Sequence, residues 1–206
     1  MNALKPSFYE QDTLQLSKTL LGKLLIHETS AGLISGWIVE TEAYIGPIDQ
    51  AAHSFNNRRT KRTEIMYGAP GFAYIYTMHN HTLLNVVSGK LGNPEAVLIR
   101  AIEPVEGIEF MIQSRGEHIH QTNQLTNGPG KLTKALQISN AQYGHPLFTK
   151  PLYIAEGKEI KTVSSGPRIG IDNKGEAKFY PWRFWETGNG YVSKKLGSNF
   201  ENNLFT

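Results

Sequence analysis

The sequence predicts an α+β fold: a single domain with a mixed or antiparallel β-sheet core, flanking helices and a protruding β-hairpin. Short runs rich in β-branched and aromatic residues, at 38–44, 72–76 and 96–102, recur at hairpin spacing. Helical patterns fall beside these runs without alternating regularly with them, which argues against a doubly wound sheet. At 206 residues the chain can bury one core without metals or disulfides.

Taken in order, Asp12-Thr-Leu-Gln15 reads as a capping box that opens a helix. Leu14, Leu20 and Leu21 face the core from it, and it ends near Gly22. Residues 23–28 and 33–44 form a hairpin across Ser30-Ala31-Gly32, and 63–67 make a helical turn. Residues 72–76 and 83–87 form a second hairpin with a polar tip at Met78-His79-Asn80. Residues 96–102 are an apolar strand interrupted by Arg100 and ended by Glu103-Pro104. A helix over 106–113 presents Ile108, Met111 and Ile112 on one side, and 114–127 reads as a polar loop. Asn127-Gly-Pro-Gly-Lys131 leads into a helix over 132–138, an entry whose backbone N–H groups suit a phosphate. Short strands follow at 152–155, 160–163, 168–171 and 180–185, and the tail from about 198 frays.

Composition excludes several chemistries. With no Cys there are no disulfides, Cys-ligated zinc, iron–sulfur clusters or cysteine nucleophiles. No run is long and apolar enough for a membrane span, and the first residues lack a signal peptide's apolar core. A cytoplasmic protein is the default expectation. Gly-x-Ser-x-Gly, Rossmann and P-loop fingerprints are absent, as is His-Glu-x-x-His. The pairs His79/His81 and His118/His120 lack a third ligand at a recognised spacing. The formal charge is only +3, but Arg58, Arg59, Lys61 and Arg62 crowd into five positions and could neutralise phosphates. A solvated loop is the competing reading.

The chemistry concentrates in 38–53. Glu40 and Glu42 sit in an apolar β-branched run, where a carboxylate must be paired or used. Tyr44 and His53 follow close by. The competing reading puts both Glu residues on a solvated sheet face. In a regular strand the two share a face, so separate roles require a bulge or a twist. Glu42, nearer the turn, is the candidate for chemistry, and Glu40 the surface or structural one. Arg100 and Asn85, also on apolar strands, need partners, and a Glu across the sheet suits Arg100. Tyr74 and Tyr76 share a strand face and can either pack in the core or stack on a base.

These residues carry a family resemblance. Val39-Glu-Thr-Glu-Ala-Tyr-Ile-Gly-Pro-x-Asp-x-Ala-Ala-His53 resembles the signature of the mammalian-type alkyladenine (3-methyladenine) DNA glycosylases. Gly71-Phe-Ala-Tyr-Ile-Tyr76, Leu84-Asn-Val-Val87, Val97-Leu-Ile-Arg-Ala-Ile-Glu-Pro104, Gly128-Pro-Gly-Lys-Leu132, Arg168-Ile-Gly-Ile171 and Pro181-Trp-Arg-Phe184 match in order. The resemblance implies one domain, here residues 1–206. It also implies a monofunctional enzyme that flips a damaged purine out of double-stranded DNA and hydrolyses its N-glycosidic bond, starting base excision repair. Neither metal nor other cofactor is implied. By motif position Glu42 is the general base. Arg100 and the backbone carbonyl of Ile169 help hold the water. Tyr44 and Tyr76 sandwich the base, His53 donates a backbone-side hydrogen bond to it, and Asn85 guards against guanine's exocyclic amine. Arg58, Arg59, Lys61, Arg62 and Lys131 would contact DNA. A monomer suffices, placed at the nucleoid of a bacterium or in the nucleus of a eukaryote.

One departure stands out. The family usually reads Tyr-Gly-Met at the hairpin tip, where the Tyr wedges into the gap left by the flipped nucleotide. Here the tip is shorter by one residue, so Met78 or His79 takes that place. Two readings from other classes stay open: a non-catalytic nucleic-acid-binding module, and a metal-dependent hydrolase using His53, His79, His81 and Glu42.

Overall fold

The computed structural model describes residues 2–116, 119 and 121–193. The expected frayed tail and the His118/His120 pair lie outside them. Asp12 caps helix α1 (Thr13–Thr19), its carboxylate accepting from the N–H groups of Leu14 and Gln15 at 2.9 and 3.3 Å. Leu16, Leu20 and Leu21 are buried there, and Leu14 packs at the core's margin. Strands β1 (Leu24–Thr29) and β2 (Gly32–Tyr44) form the first hairpin, and β3 (Ala73–Met78) and β4 (His81–Ser88) the second. Strand β5 (Glu95–Glu106) follows, then helices α2 (Ile108–Arg115) and α3 (Pro129–Ala135), then β6 (Leu152–Ala155), β7 (Val163–Gly166) and β8 (Arg183–Glu186).

All strand pairs are antiparallel, in the order β3-β4-β5-β2-β1-β6, with β8 on β2 and β7 on β8. The α+β expectation therefore holds, with an antiparallel sheet. Strand β2 is the axis of the fold. Its first half pairs with β1 and its second half, Glu40 to Glu42, with β8, while β5 runs along its other edge.

Several boundaries differ from the sequence reading. Strand β5 does not stop at Glu103-Pro104. Pro104 faces Gly36 beside a register shift, where a missing N–H is tolerated. On α2 only Met111 is buried; Ile108 and Ile112 are 39% and 42% exposed, so the expected three-residue face is not an inner one. The loop before α3 holds a 3-10 turn, Thr122–Leu125, that buries Leu125. Residues 160–162 and 168–171 are not strands. Pro167 and the positive φ of Gly170 (79°) break the second run, and Arg168 turns into a buried ion pair.

Two register shifts organise the site. Ile38 pairs with Ile102 and Glu40 with Ala101, so Val39 is an extra residue on β2; Thr41 pairs with Ile99, so Arg100 is an extra residue on β5. Each bulge reverses which side chains face the core. Before the bulge, Ile34 and Ile38 lie in the main core; after it, Ala43 does. Thr41 turns the same way, donating 2.8 Å to the carbonyl of Ser17 on α1. An unbroken strand would thus push Glu40 and Glu42 into apolar packing, at a cost of several kcal/mol each. On β5, Val97 and Ile99 face the core, so alternation already turns Arg100 to the side of the two carboxylates, and the bulge at Arg100 returns Ile102 to the core beyond it.

Candidate active site

Glu40 and Glu42 are both 0% exposed, which rules out the solvated sheet face for both and a surface role for Glu40. The bulge does not part them onto opposite faces; their partners divide them. Oε1 of Glu42 accepts from the N–H of Ile169 at 2.7 Å and lies 3.2 Å from Nη1 of Arg100. Oε2 accepts from the hydroxyl of Tyr44 at 2.8 Å. Oε1 of Glu40 takes Nε of Arg100 at 2.9 Å and Nε of Arg183 at 2.7 Å. Arg100 is thus shared by two carboxylates, one of them the cross-sheet Glu that its sequence position demanded. Burial opposes its charge, but Glu42 and Glu40 outweigh that and hold the guanidinium more firmly protonated than usual.

In front of Glu42 lies a cavity of about 250 Å³. Tyr44, His53, Tyr76, Asn85, Arg100 and Ile169 all line it, so the residues nominated from sequence converge. The volume sits just below the ~300–1,000 Å³ of drug-sized sites and suits one flat ring system. All three partners of Glu42 wall the cavity, while the carboxylate itself stands one layer behind them. Ile169 meets Glu42 through its N–H, a contact the resemblance did not name.

The aromatic wall is braced by His53 and Tyr74, which line the cavity with it. His53 packs edge-on against Tyr76, with centroids 4.6 Å apart, and its Nδ1 is 2.7 Å from the Tyr74 hydroxyl. Burial, then Arg62, Lys174 and Arg58, lower the His53 pKa to about 4, so the imidazole is neutral at physiological pH. Burial, then Glu42, push the Tyr76 hydroxyl up to about 12 and raise that of Tyr44 well above its ordinary value, keeping both as hydrogen-bond donors. Asn85 donates 3.0 Å to the carbonyl of Tyr74, satisfying one side of its amide.

The sequence reading missed the pair beneath Tyr44. The guanidinium of Arg168 lies 4.7 Å from the Tyr44 ring centre and 5.0 Å from that of Trp182. It is bidentate on Asp49, one bond measuring 2.8 Å, and donates to the carbonyl of Ala43 at 2.8 Å. Both charged groups are fully buried. This pair fixes the back of Tyr44 and the segment that brings Ile169 to Glu42. Asp49 and Arg168 fall inside recognisable motifs, yet nothing local to either residue announces the other.

The proposed DNA contacts are less uniform. Arg58, Arg59, Lys61 and Arg62 are exposed, but Arg59 forks onto Glu64 (Nε at 2.9 Å) and stacks over Tyr67. Arg62 reaches over Tyr76, 5.9 Å from its centre. Lys131 is partly buried and donates 2.7 Å to Asn127; burial, then Arg115, lower its pKa. Met78 is 47% exposed and also lines the cavity, while His79 and Asn80 form the tip. The metal-hydrolase reading loses its ligand set. His53 bonds Tyr74 and His81 packs against Gly130. Among the described residues no group of three or more His, Asp or Glu gathers as a metal site.

A buried carboxylate behind an aromatic-walled recess of nucleobase size, beside an exposed hairpin end, is the layout of an enzyme that draws one base out of DNA, a DNA glycosylase. The particular family follows from comparison: the chain belongs to the methylpurine-DNA glycosylase family, whose family model matches residues 7–190. A Bacillus licheniformis protein is 60% identical over 91% of this chain and 94% of its own length. One from Bacillus subtilis is 56% identical over 94% and 97%, and one from Listeria monocytogenes 48% identical over 92% and 91%. Each bears the name "Putative 3-methyladenine DNA glycosylase". These relatives are bacterial, which corrects the mammalian qualifier of the resemblance and leaves the family unchanged.

Proposed function

We propose that this enzyme flips a damaged purine nucleotide out of duplex DNA into the cavity and hydrolyses its N-glycosidic bond with a water activated by Glu42. The carrying observation is the Glu42 carboxylate, fully buried yet bonded, among the described residues, only to groups that themselves wall the recess. Glycosidic cleavage develops positive charge on the sugar, so an adjacent carboxylate stabilises that charge and takes the water's proton. The bond from C1′ to the base nitrogen breaks and a bond from C1′ to the water oxygen forms. The departing base keeps the bonding electron pair: a cationic alkylated purine leaves neutral while Glu42 passes the water's proton on to solvent, and a neutral purine such as hypoxanthine leaves with a proton taken from solvent. Flipping costs a few kcal/mol, less for damaged pairs, which supplies part of the selectivity.

Tyr44 and Tyr76 grip the extruded ring, His53 hydrogen-bonds its edge, and Asn85 disfavours guanine's exocyclic amine. Arg100 and Ile169 hold the Glu42 carboxylate aimed at the recess. Met78 fills the vacated stack, and Arg58, Lys61, Arg62 and Lys131 meet the phosphates. The relatives' shared name supports methylated adenine among the substrates. We place the enzyme in the bacterial cytoplasm at the nucleoid, acting as a monomer. No helix among the described residues is long and apolar enough to cross a membrane.

The test uses duplex DNA carrying hypoxanthine, ethenoadenine or a methylated purine, with and without EDTA. Free base is released in both conditions, and Glu42→Gln abolishes release while binding damaged DNA within about threefold of the parent. Loss of release in EDTA alone favours the metal reading, and equal release by mutant and parent removes Glu42 from the mechanism.

A further inference from the structure

Arg100 does not divide itself evenly. Its Nε sits 2.9 Å from Glu40, while its nearest nitrogen to Glu42 stands at 3.2 Å. Glu40 is anchored in turn by Nε of Arg183 at 2.7 Å, by the N–H of Ser193 at 2.6 Å and by the Ser193 hydroxyl at 2.9 Å. Ser193 closes the loop by accepting Nη2 of Arg100 at 3.2 Å. The side chains of Glu40, Arg100 and Arg183 are at most 7% exposed, so none is screened by bulk water. The bulge at Val39 brings the acidic pair to the side of the sheet that Arg100 faces.

We propose that Glu40 is a positioning residue, which holds Arg100 at the margin of Glu42 so that Arg100 steadies the carboxylate without covering it and Glu42 remains able to accept the water's proton. A guanidinium drawn fully onto a buried carboxylate makes it a poor proton acceptor. One removed altogether leaves a buried anion that takes a proton from solvent instead. Glu40 and Arg183 form the counterweight that keeps Arg100 between these limits. This rests on Glu42 being the base and adds a residue that never touches substrate. Among the described residues, the charged and titratable groups around Glu42 are Arg100 from β5, Arg183 from β8 behind Glu40, Tyr76 from β3, Glu40 and Tyr44 from β2 itself, and Arg168 behind Tyr44.

The test is single-turnover release of hypoxanthine from a duplex across pH 4.5–9, with damaged-DNA affinity and thermal melting measured alongside. Glu40→Gln lets Arg100 move onto Glu42, so release slows by about tenfold or more and the acid limb moves down by about one pH unit. Arg183→Met leaves Glu40 to draw Arg100 away, so the limb moves up by a similar amount. Glu40→Asp keeps the charge and returns the limb toward the parent position. Damaged-DNA affinity stays within about threefold in each. Opposite shifts establish the counterweight, and either variant alone carries the sign if the other does not fold. Acid limbs that coincide with the parent's in the folded variants overturn it. Glu42→Gln, run in the same series, separates the two failures: if it still releases base, the general-base reading falls; if it is inactive while the limbs coincide, only the role of Glu40 falls.

Discussion

The hydroxyl of Tyr44 donates a 2.8 Å hydrogen bond to Oε2 of Glu42, two residues earlier on the same strand. The ring that walls the cavity is therefore tied to the carboxylate behind it. Removing the hydroxyl leaves the stacking surface and deprives a buried anion of a charge-assisted bond of about 1.5–3 kcal/mol. Tyr44→Phe should bind damaged duplex within about threefold of the parent while its acid limb for base release rises by about one pH unit. Tyr44→Ala, which removes the stacking face as well, should weaken binding by about 1–3 kcal/mol. Rate–pH profiles and binding titrations on the same substrate check both.

His53 supplies a prediction about stability. Its pKa falls from 6.5 to about 4 in the folded protein, through burial first and then Arg62, Lys174 and Arg58. The unfolded chain therefore binds the proton more readily. The neutral imidazole's contribution is complete above pH 6.5 and is lost as pH falls through 4, amounting to about 3 kcal/mol at most. Urea midpoints measured between pH 7 and 4 should fall less steeply for His53→Gln than for the parent. Parallel slopes would mean that His53 titrates normally in the fold.

The hairpins, the Asp12 cap and the α+β class were legible because each rests on local signals: alternating apolar runs, turn residues, a capping side chain. The burial demand of Glu40, Glu42 and Arg100 was also legible, since a charge in an apolar strand must find a partner. What ties them was not. A bulge is one unpaired residue in a run of identical character, and Val39 differs in no way from Val97 until β5 is laid beside it. Asp49 and Arg168 are separated by well over a hundred residues, and the strand expected at 168–171 gave way because pairing that buried arginine mattered more than its β-like neighbours. Of the two roles read for Glu40, surface or structural, the surface one failed for the same reason: its anchors Arg183 and Ser193 arrive from the far end of the chain.

The basic segment divides by pairing. Arg59 is already neutralised by Glu64 and stacked on Tyr67, whereas Arg62 leans over the mouth of the cavity at Tyr76. Each phosphate contact contributes about 0.9 to the slope of log K against log salt on duplex DNA. Arg59→Ala should leave that slope nearly unchanged and barely move the melting temperature, because a fully exposed, salt-screened pair contributes little. The combined Arg58→Ala, Lys61→Ala, Arg62→Ala variant should lower the slope by about 2–3. Salt titrations on undamaged duplex decide it, and an unchanged slope in the triple variant would make the segment a bystander.

The hairpin end separates the two candidate wedges. Met78 pairs with His81 as the last rung of the ladder, and His79 and Asn80 make a two-residue turn with φ of 47° and 65°. Such turns need positive φ at both positions, so His79 is committed to the geometry of the reversal. Met78 combines a half-exposed apolar side chain with a place on the cavity wall, and apolar side chains wedge between bases by replacing lost stacking. Met78→Ala should therefore slow base release from duplex about tenfold while leaving release from the same lesion in single-stranded DNA within about twofold, because a single strand has little stack to refill. His79→Asn should lose little on either substrate, since Asn accepts positive φ readily. Equal losses on both substrates for Met78→Ala would mean that this side chain shapes the pocket and does not hold the duplex open.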